Sequence, residues 1–179
     1  MGLVKWISYK KVNIRKDGRL LKGIIINKEK YFTFLKKLFK SINGMQRNYN
    51  WLITGHECYP KNKMYAEMLS EKYCWITGDE FTEMLENEDF QWIWGVFSAF
   101  PKNILKEDIL IYELPKADGY KELWQNPISI QNPFAEIEII AWDSSMTVVI
   151  SKNDDIVDML SKDYIMTEDL EYYNQNKNM

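Results

Sequence analysis

The sequence predicts a single α+β domain: a mostly antiparallel sheet of about five or more strands with about three helices, over residues 1–166. Three observations carry this. Apolar residues alternate with carboxylates over residues 134–142, and they recur at helical spacing over residues 28–42. No composition shift or Pro/Gly/Ser-rich stretch divides the chain of 179 residues. With 46% hydrophobic and 15% aromatic residues, there is material for a core that needs neither disulfide nor metal.

At the N-terminus, Lys16-Asp17-Gly18 is a turn signal between residues 3–14 and 20–27, which pair as a hairpin. Its second arm carries the β-branched run Ile24-Ile25-Ile26; residues 1–19 read as an extension of the domain. Residues 28–42 follow as a helix, with Tyr31, Phe32, Phe34, Leu35, Leu38, Phe39 and Ile42 on one arc. Lys30, Lys36, Lys37 and Lys40 lie opposite, and Asn43-Gly44 supplies the stop.

Residues 51–54 (WLIT) and 73–77 (YCWIT) are short strands. Each is followed by Gly and an acidic residue, and the shared I-T-G-x-E string is a reused strand-to-turn signal rather than a repeat. Residues 79–87 form a helix, with Thr77 or Asp79 as N-cap and Glu80 at capping-box spacing from Thr77. Residues 90–100 are an aromatic strand ended by Pro101, and 108–114 another, closed by Pro115. A loop or short helix surrounds residues 120–124.

Residues 134–142 and 146–151 make a hairpin across Asp143-Ser144-Ser145, with Glu136 and Glu138 on a wet face. Ser151 or Asn153 caps a last helix to about Leu160, with Asp154 and Asp155 in its first turn. Residues 167–179, poor in apolar side chains, read as a flexible tail.

Two cysteines, Cys58 and Cys74, make no disulfide framework and fit a reducing compartment. No apolar run has the length of a signal peptide core or a membrane span, and Trp6 stands where a myristoylation signal needs Ser or Thr. The expected location is cytoplasmic, without membrane contact. Richness in Lys, Asn, Ile and Tyr is the composition of an AT-rich bacterial or phage genome.

Net charge is −3, yet residues 1–48 hold 13 Lys/Arg and 2 Asp/Glu while residues 49–179 hold 10 and 24. Either the basic part meets an outside polyanion, or the two parts face each other and neutralise.

The enzyme candidate is His56 with Cys58 or Cys74, since imidazole can take a thiol proton. Its ordinary alternative is a turn histidine beside a small buried cysteine. C-x-x-C and H-x-x-x-H spacings, a calcium loop and both glycine-rich phosphate signatures are missing, so neither metal nor cofactor is expected. A nucleic-acid reading uses Lys10, Lys11, Arg15, Lys36, Lys37 and Lys40, with Trp6 and Tyr9 to stack bases; the sequence pI near 5.4 weighs against it. A protein-partner reading uses the acidic body: Glu83, Glu86, Glu88 and Asp89 complement a basic target, with Tyr120 and Trp124 as anchors.

Taken in order, WLITGHE, YCWITGDEFTEMLENEDF, FSAFPKN and EIEIIAWDSSMTVVISKNDDIVDML resemble an uncharacterised bacterial family of unknown function, over roughly residues 20–162. The W-D-S-S turn with its acidic helix also resembles immunity-type proteins of polymorphic toxin systems. The resemblance carries over no functional residues. It implies a stand-alone α+β protein, and a non-catalytic domain that masks a protein partner is the expected function; the alternatives are the nucleic-acid accessory protein and the small enzyme.

Overall fold

Runs of β-branched and aromatic residues bounded by Gly, Pro or polar turns supply the strands. In the computed structural model, which describes residues 21–27, 29 and 33–177, they join in one sheet. The strands are β1 (Lys22–Ile26), β2 (Tyr49–Cys58), β3 (Tyr73–Thr77), β4 (Trp92–Pro101), β5 (Ile137–Trp142), β6 (Met146–Ser151) and β7 (Thr167–Asp169). Their order is β3-β2-β4-β5-β6-β1-β7, and every neighbouring pair is antiparallel. The α+β class is as expected. The described residues contain six α-helices rather than about three: α1 (Leu35–Ser41), α2 (Lys63–Met68), α3 (Gly78–Asn87), α4 (Lys106–Leu110), α5 (Asp154–Asp163) and α6 (Leu170–Lys177).

Both faces of the sheet are covered. On one, α1, α3 and α5 bury an aromatic cluster in which Phe81 meets Phe39 at 5.1 Å, Trp51 at 5.8 Å and Phe97 at 6.0 Å between ring centroids. On the other, Ile109 of α4, Leu123, Ile128, Ala135 and Leu170 of α6 close over Leu52, Val96, Phe100, Ile140 and Val148. Much of this second cover is irregular chain between β4 and β5.

That second layer overturns the wet face expected for the β5–β6 hairpin. Glu138 is fully buried, and its carboxylate accepts hydrogen bonds from Gln131 N (3.0 Å) and Nε2 (3.2 Å). Glu136 is half-buried at the start of β5. Period two assigns residues to opposite faces correctly, but it does not reveal whether distant chain covers the polar face.

Helix α1 keeps the expected apolar face, with Leu35, Leu38, Phe39 and Ile42 buried, but it starts at Leu35 rather than residue 28. Thr33 takes φ 53, which L-residues rarely adopt in a helix. Tertiary bonds hold it there: its hydroxyl shares a 2.7 Å hydrogen bond with that of Thr147, and its carbonyl accepts from Trp92 N. Residues 28 and 30–32 lie outside the described residues, as does the N-terminal arm of the expected hairpin.

The expected strand at 108–114 is instead α4 and a turn, begun by Glu107 and Asp108 in the favourable first-turn positions. The expected tail is a correction as well. Residues 167–169 pair with β1, and α6 buries Leu170 and Asn174, whose Nδ2 donates to Leu123 O at 3.2 Å. Leu170, Tyr173 packed against Trp124, and the donating Asn174 amide dock this otherwise polar helix.

The two I-T-G strings are used differently. Gly55, at φ 53, lies where the β2–β4 register shifts, so β2 runs on to Cys58. Gly78 opens α3 against the 45–48 turn, where an added Cβ would meet Gln46 O at 2.1 Å. The capping box is present: Thr77 Oγ1 accepts from Glu80 N, and the Glu80 carboxylate accepts from Thr77 N.

Candidate functional site

His56 is half-buried within β2 rather than in a turn, because the strand continues past Gly55. Its Nε2 lies 2.7 Å from Leu69 O and its ring is edge-on to Trp92. An Nε2–H donating to that carbonyl fixes the tautomer and leaves Nδ1 buried without a partner among the described residues. Neither thiol suits a nucleophile. Burial, aided by the Glu57 charge, pushes the Cys58 thiol up to about 12. Burial, aided by Glu80, pushes Cys74 up to about 11. Among the described residues no group of three or more His, Cys, Asp or Glu is placed to hold a metal ion.

The expected acidic contact cluster is largely committed to internal bonds. Glu88 accepts from Lys61 N at 2.6 Å and Asn62 N at 2.9 Å, tying the start of α2 to the end of α3. Glu86 pairs with Lys36 at 2.9 Å, and that ammonium holds its carboxyl below the usual range. Asp89 is half-buried and accepts from Lys36 N at 3.4 Å, while desolvation pushes its carboxyl up. Glu83 alone of the four has no hydrogen bond or ion pair among the described residues and is exposed. The expected aromatic anchors are core. Tyr120 is buried in the second layer beside Ser129, and Trp124 is half-buried, edge-on to Trp142 and tilted against Tyr173. Both are needed to cover the sheet, a demand that loop position in the sequence does not reveal.

The described cations of the basic segment mostly face the acidic body. Lys22 pairs with Asp158 at 2.9 Å, and Arg47 with Asp79 at 2.9 Å. Lys37 pairs with Glu29 at 2.8 Å and lies over the Tyr164 ring at 4.3 Å. Lys40 is the exception, exposed and without an ion pair among the described residues. The other three residues of the expected nucleic-acid face, Lys10, Lys11 and Arg15, lie outside the described residues.

A different surface combines exposed apolar groups with exposed carboxylates. Around α4, Ile111 is 78% exposed, Leu105 62% and Phe134 38%, and Tyr112 packs edge-on against Phe134 at 5.7 Å. Glu107 and Asp108 are exposed between Leu105 and Ile111 and form no ion pair among the described residues. Of the lysines in this part of the chain, Lys116 pairs with Glu113 at 3.2 Å, and Lys106 lies 6.0 Å from the centre of the Tyr73 ring with its charge retained. Reading 108–114 as a strand hid this patch. Its available signal was the acidic pair ahead of the apolar run, which starts a helical turn and turns Ile111 away from Ile109.

A model for a protein family of unknown function, DUF2691, matches residues 22–118, just over half of the chain. The chain belongs to the DUF2691 family. No curated protein and no solved structure matches it. The family segment contains β1 to β4 and α4 but not Phe134 of the α4 patch, and both neighbours of β1, the strands β6 and β7, lie beyond it. The family's segment therefore closes into a sheet here only by enclosing the β5–β6 hairpin. Among the described residues no helix is long and apolar enough to cross a membrane.

Proposed function

We propose that the chain is a non-catalytic protein-binding domain of the immunity or inhibitor type, acting in the cytoplasm by masking a basic protein partner. The α4 surface is the observation that carries this reading. Leu105, Ile111 and Phe134 offer apolar contact area, and Glu107 and Asp108 are exposed carboxylates that form no ion pair among the described residues. Apolar anchors desolvated at the centre of a contact hold a complex, while carboxylates around them speed the approach of a cationic partner. The reading thus moves the contact from the expected Glu83, Glu86, Glu88 and Asp89 cluster with Tyr120 and Trp124 to the α4 turn. The committed thiols and the tied His56 ring give an enzymatic reading less support. The paired lysines of α1 do the same for a nucleic-acid reading.

The test is capture of a partner by tagged full-length protein from host lysate at low salt after nuclease treatment, with Ile111→Lys and Glu107→Lys run in parallel. One stoichiometric basic protein is expected, lost with either variant and released as salt rises. Capture that both variants leave intact would remove the α4 surface from the interface.

A further inference from the structure

The sheet ends on β7 at one side and on β3 at the other. An open strand edge offers unpaired N–H and C=O groups to any second strand that can align with them, and folded chains ordinarily blunt such edges with short strands, charge or proline. β7 is blunted: it has three residues, two of them carboxylates, and runs directly into α6. β3 is not. Its five residues, Tyr73 to Thr77, carry no charge and no proline, and they pair with β2 in unbroken register.

One bond fixes which backbone groups of β3 face outward. Thr77 N donates to the Glu80 carboxylate at 2.9 Å, and so points away from β2. Backbone direction alternates along a strand, so Tyr73 and Trp75 also face outward, while Cys74 and Ile76 bond Ile53 and Trp51 of β2. The bond from Lys152 N to Glu136 O, followed by alternation through β5, β4 and β2, gives the same assignment. At Thr77 the edge closes, because Glu80 holds its N–H and its C=O opens the hydrogen bonding of α3. The open edge is therefore the N–H and C=O of Tyr73 and of Trp75, which have no other hydrogen bond among the described residues.

We infer that β3 pairs antiparallel with β3 of a second copy of this chain, about a two-fold axis at Cys74, joining two sheets edge to edge. In that register Tyr73 of each copy faces Trp75 of the other. Each facing pair exchanges both N–H···O=C bonds, so the free groups of the two copies match with none left over. An axis at Trp75 would instead set Tyr73 opposite Thr77, whose N–H and C=O are already taken. Side chains agree with the Cys74 axis: it puts a tyrosine beside a tryptophan twice on one face, and no like charges meet within the strand. The free stretch lies between α3 and the turn at residues 69–72, so a strand of the same short length, turning away at both ends, fits it.

Sedimentation velocity of the purified full chain from about 5 µM to about 1 mM, with amide hydrogen exchange at both ends of that range, tests this. A contact this small should dissociate on the order of 0.1 mM. About one-fifth of the chain then stays monomeric at the upper concentration, so the Tyr73 and Trp75 amides should exchange about fivefold more slowly there than when dilute. The amides of Cys74 and Ile76, bonded to β2, should be slow at both concentrations. Tyr73→Pro removes an outward N–H and no bond to β2, and should abolish the dimer; Tyr73→Phe keeps the N–H and should retain it. A chain that stays monomeric to about 1 mM would overturn the pairing. So would a dimer in which the Tyr73 and Trp75 amides still exchange freely, or one that persists in folded Tyr73→Pro.

Discussion

Ile109 and Ile111 stand two residues apart in one apolar run, and their contrast measures whether that run is a strand or a helical turn. In a strand both side chains would share a face; in a helix they diverge by about 200°. Ile109 is 1% exposed and Ile111 78%. Ile109→Ala removes three buried carbons, about 0.8 kcal/mol each by transfer, to which the residual cavity adds, for about 2–4 kcal/mol in all. Ile111→Ala removes the same atoms from water-exposed positions and should change stability by less than about 0.5 kcal/mol. Equilibrium urea unfolding followed by tryptophan fluorescence would report both. With a slope of about 2–3 kcal/mol per molar, Ile109→Ala should lower the midpoint by about 1 M and Ile111→Ala by a small fraction of that. Similar losses at the two positions would refute the helical turn, and with it the exposed patch on which partner binding is proposed.

A fragment ending at Asp118 should fail to fold despite spanning the family segment, because both strands that flank β1 are missing; a dispersed amide spectrum from it would contradict this. Alkylation of Cys74 and Cys58 in the folded protein should stay slow at pH 8 and rise only as pH approaches 11 to 12, where the thiolates form. Rapid labelling at pH 8, without unfolding, would show that the thiols are not held protonated by burial. Asp89 and Glu80 should respond to pH with opposite signs. The Asp89 carboxyl is raised by burial, so its contribution is present below its unfolded value and lost as pH rises through the folded one; Asp89→Asn should gain stability relative to wild type between pH 3 and pH 7. The Glu80 carboxyl is lowered by its bonds to Thr77, so its contribution is present above its unfolded value and lost as pH falls through the folded one. Glu80→Ala should therefore cost most at neutral pH and least in acid, in urea midpoints taken at each pH; a cost that grows in acid would contradict the cap.

The residues expected at a partner contact have roles within the fold that their sequence positions do not reveal. Glu88 and Asp89 look like a solvated helix end, but α2 and α1 each present backbone N–H groups that need an acceptor, and these carboxylates supply it. Tyr120 and Trp124 lie in a segment marked as loop by Gly119 and Pro127, and they are apolar cover for a sheet whose second face has few helices. The charge asymmetry was legible as two alternatives, and the ion pairs of Lys22, Lys36 and Arg47 favour mutual neutralisation for the residues described.

Elements whose information is local were readable from the residues alone. The Thr77–Glu80 capping box, the Asn153 cap of α5, the β5–β6 hairpin and the buried face of α1 depend on contacts within a few residues, where backbone preference and side-chain periodicity act together. Folding at a distance decided the rest. Thr33 leaves helical geometry because Thr147 and Trp92 bind it, Glu138 is buried because residues 116–135 pass over it, and residues 167–177 are ordered because β1 has an open edge and the second core a place for Leu170. Thr33 and residues 167–177 depend on partners far away in the chain and Glu138 on a fold-back of the loop before it, and a linear pattern holds no record of which segment will arrive to cover a face or complete an edge.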